Sequence, residues 1–116
     1  MEIKRLHIGS RLSEAAIHNG VVYLAGQIAD DLTQNIGGQT RQVLAHVDRL
    51  LAEAGSDKTR ILMCQIFLAD IKDIAEMNAA WDAWVVPGHT PPRATVQATL
   101  VRPELLVEVV VSAALA

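Results

Sequence analysis

Apolar and polar positions alternate along the chain in short runs, and each run predicts one strand or one helix. Residues 3–8 alternate weakly and predict a first strand. Residues 15–29 form two apolar runs joined by Asn19-Gly20, which predicts a hairpin because both residues tolerate the positive φ of a type I′ turn. Residues 30–38 are polar and contain glycine, so they predict a loop.

Two later segments show the spacing of amphipathic helices on either side of a central strand. Residues 38–54 predict a first helix, and Gly55 supplies its C-terminal stop. Residues 59–70 have the length and composition of a central strand, after which Asp70 can cap a second helix that ends at Pro87. The apolar stripes consist of Val43, Leu44, Val47, Leu50, Leu51 and Ala54 in the first helix and Ile74, Met77, Trp81, Trp84 and Val85 in the second.

The last part of the chain predicts a second hairpin, formed by residues 93–100 and residues 104–115. With its turn near the middle of the intervening residues, Arg93 falls roughly opposite Val110, and Glu108 becomes a diagonal neighbour within reach of the same cavity. If the aliphatic positions of residues 93–100 pack under the helices, Arg93 lies on the opposite, open face. Its companions on that face are then Thr95, Gln97 and Thr99.

The order βββαβαββ predicts an α+β fold with a mostly antiparallel sheet and two helices on one face. The last strand is apolar on both faces except at Glu108 and Ser112, and such a strand needs cover on both faces. One chain has no elements left to supply that cover. The pattern therefore predicts a single domain, residues 1–116, whose sheets pack face to face in a closed symmetric oligomer.

Composition narrows the partners that this domain can take. Hydrophobic residues make up 51% of the chain and charged residues 20%, which favours self-association, and the net charge is -3. Lysine and arginine form no basic run, which disfavours a nucleic-acid surface because phosphate binding needs clustered positive charge. The apolar runs are interrupted by charge and predict no membrane span. One cysteine and no signal-peptide pattern predict a cytoplasmic protein.

The strongest candidate for chemistry is Arg93, which follows directly after Pro91-Pro92. A guanidinium binds a small carboxylate through two parallel hydrogen bonds, and a rigid backbone would present it in one direction. Glu108 lies among leucines and valines, where loss of solvent would make it a better base for a water molecule. The alternative is that Arg93 and Glu108 simply form an ion pair with each other.

Other reactive residue types give weaker indications. The histidines show no metal-ligand spacing, so no metal site is predicted; they are His7, His18, His46 and His89. Cys64 lies in the middle of a strand without an activating neighbour and is interpreted as an inert buried thiol. Gly26 interrupts a strand pattern, which indicates either that another group approaches the backbone closely or that the strand contains a bulge.

An ordered set of segments resembles the RidA/YjgF family of enamine/imine deaminases. The segments are "VVYLAGQIA", "LLAEAGSDKTRIL", "MNAAWDAWV", "PPRATV" and "LLVEVVV", and the resemblance runs from about residue 11 to the C-terminus. The most specific element is the Pro-x-Arg-x-x-Val strand followed by a glutamate in the last strand. The resemblance implies a chorismate-mutase-like fold in a homotrimer, whose sheets line a central barrel and whose three clefts lie between subunits.

The resemblance also implies a chemistry and roles for individual residues. Arg93 would bind the carboxylate of a 2-imino acid, and Glu108 would be associated with the water that hydrolyses the imine to a 2-oxo acid and ammonia. No cofactor or metal takes part. Gly26 matches a backbone contact near the substrate, and Asn78 matches an asparagine that helps to shape the cleft.

Three positions depart from the best-known members of that family. Leu12 replaces a tyrosine, Ala25 replaces a serine, and Thr95 replaces a cysteine, and all three belong to the substrate-binding set that the resemblance implies. These changes keep open an alternative in which the oligomer is a non-catalytic binding module or sensor for small carboxylates such as 2-oxo acids. A third reading, a ribonuclease or translation inhibitor, has been attached to relatives, and the acidic balance argues against it.

Overall fold

A computed structural model describes residues 2–116 as a mixed six-stranded sheet with two helices packed on one face. This confirms the predicted α+β class and the order of the elements. The strands and helices are β1 Lys4–Ile8, β2 Ser13–His18, β3 Val21–Leu24, α1 Ile36–Ala54, β4 Ile61–Leu68, α2 Ile74–Trp84, β5 Arg93–Gln97 and β6 Val107–Ala114.

The first hairpin and the first helix form where local sequence predicts them. Asn19 and Gly20 have φ values of 54° and 79°, as a type I′ turn between β2 and β3 requires. The side chain of Asn35 caps α1 by accepting the N–H of Gly38 at 2.9 Å. Gly55 ends the helix in the left-handed region at φ 91°, so the predicted C-terminal stop is confirmed.

The second helix is shorter than the sequence predicts. The side chain of Asp70 does cap a turn, but the turn is a short 3-10 segment at Ile71–Asp73. The α-helix begins after it and stops at Trp84, before Pro87. Met77 and Trp81 are buried as expected, and they fix the helix against the sheet.

The predicted hairpin between the last two strands is wrong. The strand order is β1-β2-β3-β6-β4-β5, in which β5 lies parallel to β4 at the edge while β6 lies between β3 and β4. Helix α2 carries the chain back across the sheet, so β4, α2 and β5 form a parallel crossover unit rather than a meander. The two-sided apolar character of β6 suits a central strand, and Pro92 before β5 suits an edge strand.

The predicted face of β5 is also wrong, because its aliphatic positions do not pack under the helices. Arg93 pairs in register with Cys64, which is fully buried beneath the helices. Residues paired in register share a face, so Arg93 and Thr95 point toward the helices and the aliphatic positions point to the open face. Val96 on that open face is 48% exposed.

The open face of the sheet carries large apolar side chains without cover inside the chain. Tyr23, Met63 and Val96 are 54%, 38% and 48% exposed, respectively. The opposite face is sealed by α1, whose Val43, Val47, Leu50 and Leu51 are buried completely. One sheet thus has a finished core on one face and an apolar, solvent-facing surface on the other.

Candidate functional site

A cavity of about 320 Å³ lies where the chain leaves β3 and turns toward α1. It contains four of the residues that the resemblance singled out: Leu12, Ala25, Gly26 and Glu108. The remaining lining is Glu14, Gln27, Ile28, Asp30, His46 and Arg49. We call this the Glu108 cavity.

Gly26 and Glu108 are in intimate contact in this cavity. A Cβ atom built on Gly26 would lie 2.9 Å from the carboxyl carbon of Glu108 and closer still to Oε2. Tyr23 pairs with Ser112 and Gln27 with Val109, so four steps along one segment match three along the other. Both interpretations of the glycine therefore hold, because the strand bulges here and a carboxylate occupies the space of the missing side chain.

Glu108 points away from the helix-covered core. It alternates along β6 with Val107 and Val109, which are buried at 0% and 1% exposure, so its side chain leaves from the other face. Its carboxylate has no salt-bridge partner within 4 Å among residues 2–116. It is half-buried and lies against bare backbone, which leaves it free to accept a hydrogen bond from a bound molecule.

A second group of predicted residues assembles elsewhere, at the contact between α2 and β5. The guanidinium carbon of Arg93 lies 5.0 Å from the centroid of the Trp81 ring, a cation–π arrangement that fixes its direction. Asn78 lies one helical turn before Trp81, and Thr95 lies on the same face of β5 as Arg93. We call these four residues the Arg93 group.

The Arg93 group has hydrogen-bonding capacity that the chain does not use. The Oδ1 atom of Asn78 and the Oγ1 atom of Thr95 are buried and have no partner among residues 2–116. Arg93 has no carboxylate within 4 Å in the same range. Buried polar atoms without partners are costly and uncommon, so such a cluster is typical of a place where another molecule binds.

The chain does not bring the two groups together. Arg93 leaves the sheet on the helix side and Glu108 leaves it on the open side, with β4 between their strands. The predicted diagonal contact between them is therefore wrong, and so is the alternative of an ion pair within one chain. The seven predicted site residues divide into Leu12, Ala25, Gly26 and Glu108 on one side and Asn78, Arg93 and Thr95 on the other.

The sequence did not predict the polar lining of the Glu108 cavity, in which His46 and Arg49 join Glu14, Gln27 and Asp30. The Nε2 atom of His46 lies 2.9 Å from Oδ2 of Asp30, and its Nδ1 lies 3.2 Å from a guanidinium nitrogen of Arg49. Because a guanidinium can only donate, Nδ1 must accept, and the ring carries its proton on Nε2 toward Asp30. The spacing of three residues indicates that His46 and Arg49 are neighbours on α1, but no pattern linked them to the glycine.

Cys64 on β4 is the neighbour of Arg93 on β5, but its thiol is unreactive. Burial raises the pKa of its thiol to about 12, and the charge of Arg93 opposes that shift only in part. The thiol therefore stays protonated at neutral pH, and a protonated thiol is a poor nucleophile. Among residues 2–116 no cluster of three or more histidine, cysteine, aspartate or glutamate side chains could hold a metal ion.

Replacing Gly26 with alanine tests the contact with Glu108. The added methyl group must displace the carboxylate, which is the end of a flexible, half-buried side chain, and we expect a loss of about 0.5–1.5 kcal/mol in the free energy of unfolding. The same replacement in a Glu108→Ala background should cost much less, because the obstructing carboxylate is gone. Chemical unfolding of the four proteins in this double-mutant cycle measures the coupling. Equal costs in both backgrounds would show that some other feature requires glycine here.

Comparison with known proteins identifies the family. Residues 2–115 match the family model described as Endoribonuclease L-PSP. A RutC family protein of Haemophilus influenzae is 49% identical over 114 residues, covering 97% of this chain and 98% of the relative. The RutC family protein YoaB of Escherichia coli is 46% identical, covering 98% and 99%.

Solved structures agree with the sequence comparison. The crystal structure of a YjgF family protein from Neisseria meningitidis superposes with a TM-score of 0.97 at 45% identity, covering 100% of this chain and 97% of that one. The fold is thus the chorismate-mutase-like α+β arrangement, with two helices on one face of a mixed sheet. The chain belongs to the YjgF/RutC (RidA) family.

No helix within residues 2–116 combines the length and the apolar character needed to cross a bilayer.

Proposed function

We propose that this protein hydrolyses reactive 2-imino acids to 2-oxo acids and ammonia without a cofactor, in clefts between the subunits of a cytoplasmic homotrimer. The observation that carries the proposal is the division of the site. An unpaired guanidinium with unsatisfied neighbours lies on one face, and a free carboxylate in a cavity lies on the other. Neither half alone suffices for the reaction, and the two are complementary.

A second copy of the chain would complete the site. If the edge formed by β5 of one copy lies beside the Glu108 cavity of the next, one copy contributes Arg93 and the other contributes Glu108. The exposed apolar side chains of Tyr23, Met63 and Val96 support such packing, because contact between copies removes them from water. A cyclic arrangement repeats the same cleft at every interface.

The proposed chemistry assigns each half one task. Arg93 binds the substrate carboxylate through two parallel hydrogen bonds, and its stacking on Trp81 holds the guanidinium plane in place. Glu108 accepts a proton from a water molecule as the water oxygen bonds to the imine carbon. The proton then passes to the nitrogen of the resulting aminoalcohol. As the carbon–nitrogen bond breaks, Glu108 takes the hydroxyl proton, the carbon–oxygen double bond forms, and ammonia leaves the 2-oxo acid.

The environment of Glu108 supports its task. Leu12, Ala25 and Gly26 line the cavity together with Glu108 and have no side-chain donors, whereas Gln27, His46 and Arg49 supply donors elsewhere in the same lining. The carboxylate has no ion-pair partner among residues 2–116, so it is free to hydrogen-bond a water molecule. The substrate's own protonated nitrogen would balance its charge.

The arginines do not support the ribonuclease activity that the family model's description mentions. Arg93 lies on Trp81, Arg60 donates to the carbonyls of Ala114 and Leu115, and Arg102 lies near Glu104. These three arginines lie on different elements of the fold, whereas binding to a phosphate backbone needs clustered positive charge.

A hydrolysis assay tests the proposal. An amino-acid oxidase or a pyridoxal-phosphate-dependent dehydratase generates 2-iminopropanoate or 2-iminobutanoate, and semicarbazide captures whatever imine remains. We expect the protein to reduce the captured fraction in proportion to its concentration. Thermal stabilisation by 2-oxo acids without any turnover would instead indicate the binding module or sensor.

A further inference from the structure

A second concave surface lies in the groove between α1 and α2. Its volume is about 500 Å³, within the range of sites for small molecules. The floor is apolar, with Ala79, Ala80 and Leu44, and none of its lining residues belongs to the Glu108 cavity or the Arg93 group. The proposed imine chemistry leaves this groove without a role.

Two cations line the groove without a carboxylate partner. Among residues 2–116, neither Arg41 nor Lys58 has an acidic oxygen within 4 Å, although Glu76 lies on the opposite wall. The guanidinium of Arg41 is folded over the first turn of α1, where one nitrogen lies 3.3 Å from the position of a Cβ on Gly37. The groove thus carries more positive than negative charge and offers free N–H donors at one side of an apolar floor.

Trp84 forms a fixed aromatic wall at one end. Its Nε1 donates to Oδ2 of Asp48 at 2.9 Å, and its ring lies 5.4 Å from the ring of Trp81 in a tilted pair. The Nζ atom of Lys58 lies 5.2 Å from the Trp84 centroid. These three contacts hold the indole in one orientation, so a flat apolar group can pack against it at little conformational cost.

We propose that the groove between α1 and α2 is a second small-molecule site, which binds an amphipathic monocarboxylate with a flat apolar body. The carboxylate pairs with Arg41 and Lys58, and the apolar body lies on the alanine floor against Trp84. Glu76 on the opposite wall disfavours a second acidic group at the far end of the ligand. This proposal does not depend on imine hydrolysis.

Phenylacetate is a suitable probe because it combines one carboxylate with one aromatic ring. Titration into the full-length protein, followed by the NMR cross-peak of the Trp84 indole N–H, should give a saturable shift. Acetate lacks the ring and 2-phenylethanol lacks the charge, and each should bind at least about tenfold more weakly.

Variants locate the binding. Arg41→Gln removes the guanidinium, and Ala79→Phe fills the floor without changing charge; each should weaken phenylacetate binding at least about tenfold. Ala79 and Arg41 are both exposed, so the fold should tolerate the changes, which circular dichroism verifies. Lys4→Gln on β1 is the matched loss of a cation outside the groove and should leave the affinity unchanged.

Arg93→Ala separates this site from the one proposed for imines, and phenylacetate should bind that variant as it binds the wild type. Three outcomes would overturn the proposal. They are the absence of a saturable shift in the wild type, affinity that survives both Arg41→Gln and Ala79→Phe, and affinity that is lost with Arg93→Ala.

Discussion

Replacing Arg93 with alanine is expected to lower kcat/KM for 2-iminobutanoate by at least about 100-fold while the protein stays folded. A hydrogen bond to a charged group contributes about 1.5–3 kcal/mol, and a bidentate pair lies at or above the upper end of that range. A factor of 100 corresponds to about 2.7 kcal/mol, so loss of the two parallel hydrogen bonds to the substrate carboxylate accounts for the expected decrease in kcat/KM. The fold should survive because Arg93 has no acidic partner within 4 Å that its removal would leave unpaired.

Two controls make this result specific. Arg93→Lys keeps the charge but loses the planar fork, so its activity should lie between those of the wild type and the alanine variant. Arg102→Ala removes an exposed arginine that lies 3.6 Å from Glu104 and should retain full activity. Undiminished hydrolysis by Arg93→Ala would show that the substrate carboxylate is held elsewhere.

Local patterns predicted the elements whose cause is local. The type I′ turn needs only Asn19 and Gly20, and α1 needs only its apolar stripe, the cap at Asn35 and the stop at Gly55. None of these features depends on which strands become neighbours. The sequence therefore predicted their positions to within a few residues.

The order of the strands depends on pairing between strands that are distant in the sequence, which local patterns do not reveal. Consecutive strands often pair, which favours a hairpin between β5 and β6. Instead α2, which lies between β4 and β5, returns the chain so that β5 runs parallel to β4 at the edge, and β6 lies between β3 and β4. The apolar character of β6 on both faces was interpreted as a need for other copies. In part it reflects a central position, since β6 is flanked by β3 and β4.

The sequence singled out several residues that line a cavity or lie together, but it did not predict how the two groups are arranged. The pattern singled out Gly26 and Glu108, and they do lie together, because the bulge after β3 places bare backbone beside the carboxylate. Arg93 was singled out as well, but the assumption that the aliphatic positions of β5 pack under the helices put it on the wrong face. The sequence did not predict that His46 lines the Glu108 cavity, because its position there depends on where α1 crosses the end of the sheet.

A mixed oligomer is expected to recover activity that neither of two variants has alone. Arg93→Ala lacks the carboxylate anchor, and Glu108→Gln keeps the shape of the side chain but cannot take a proton from water. In a cyclic assembly each proposed cleft takes Arg93 from one copy and Glu108 from the next. Random mixing in equal amounts then leaves about one quarter of the clefts with both native residues, since each copy is of the required kind half the time.

The experiment uses refolding of the two variants together and the imine-hydrolysis assay, with each variant refolded alone as the baseline. The double variant Arg93→Ala/Glu108→Gln, mixed equally with the wild type, is the matched control. A shared cleft needs two native copies, so activity should fall to about one quarter of that of an all-native assembly, whereas a cleft within one chain would keep about one half. Two results together would contradict a shared cleft: no recovered activity when the single variants are mixed, and one-half activity in the control. Arg93 and Glu108 would then act within one chain, although their side chains leave the sheet on opposite faces.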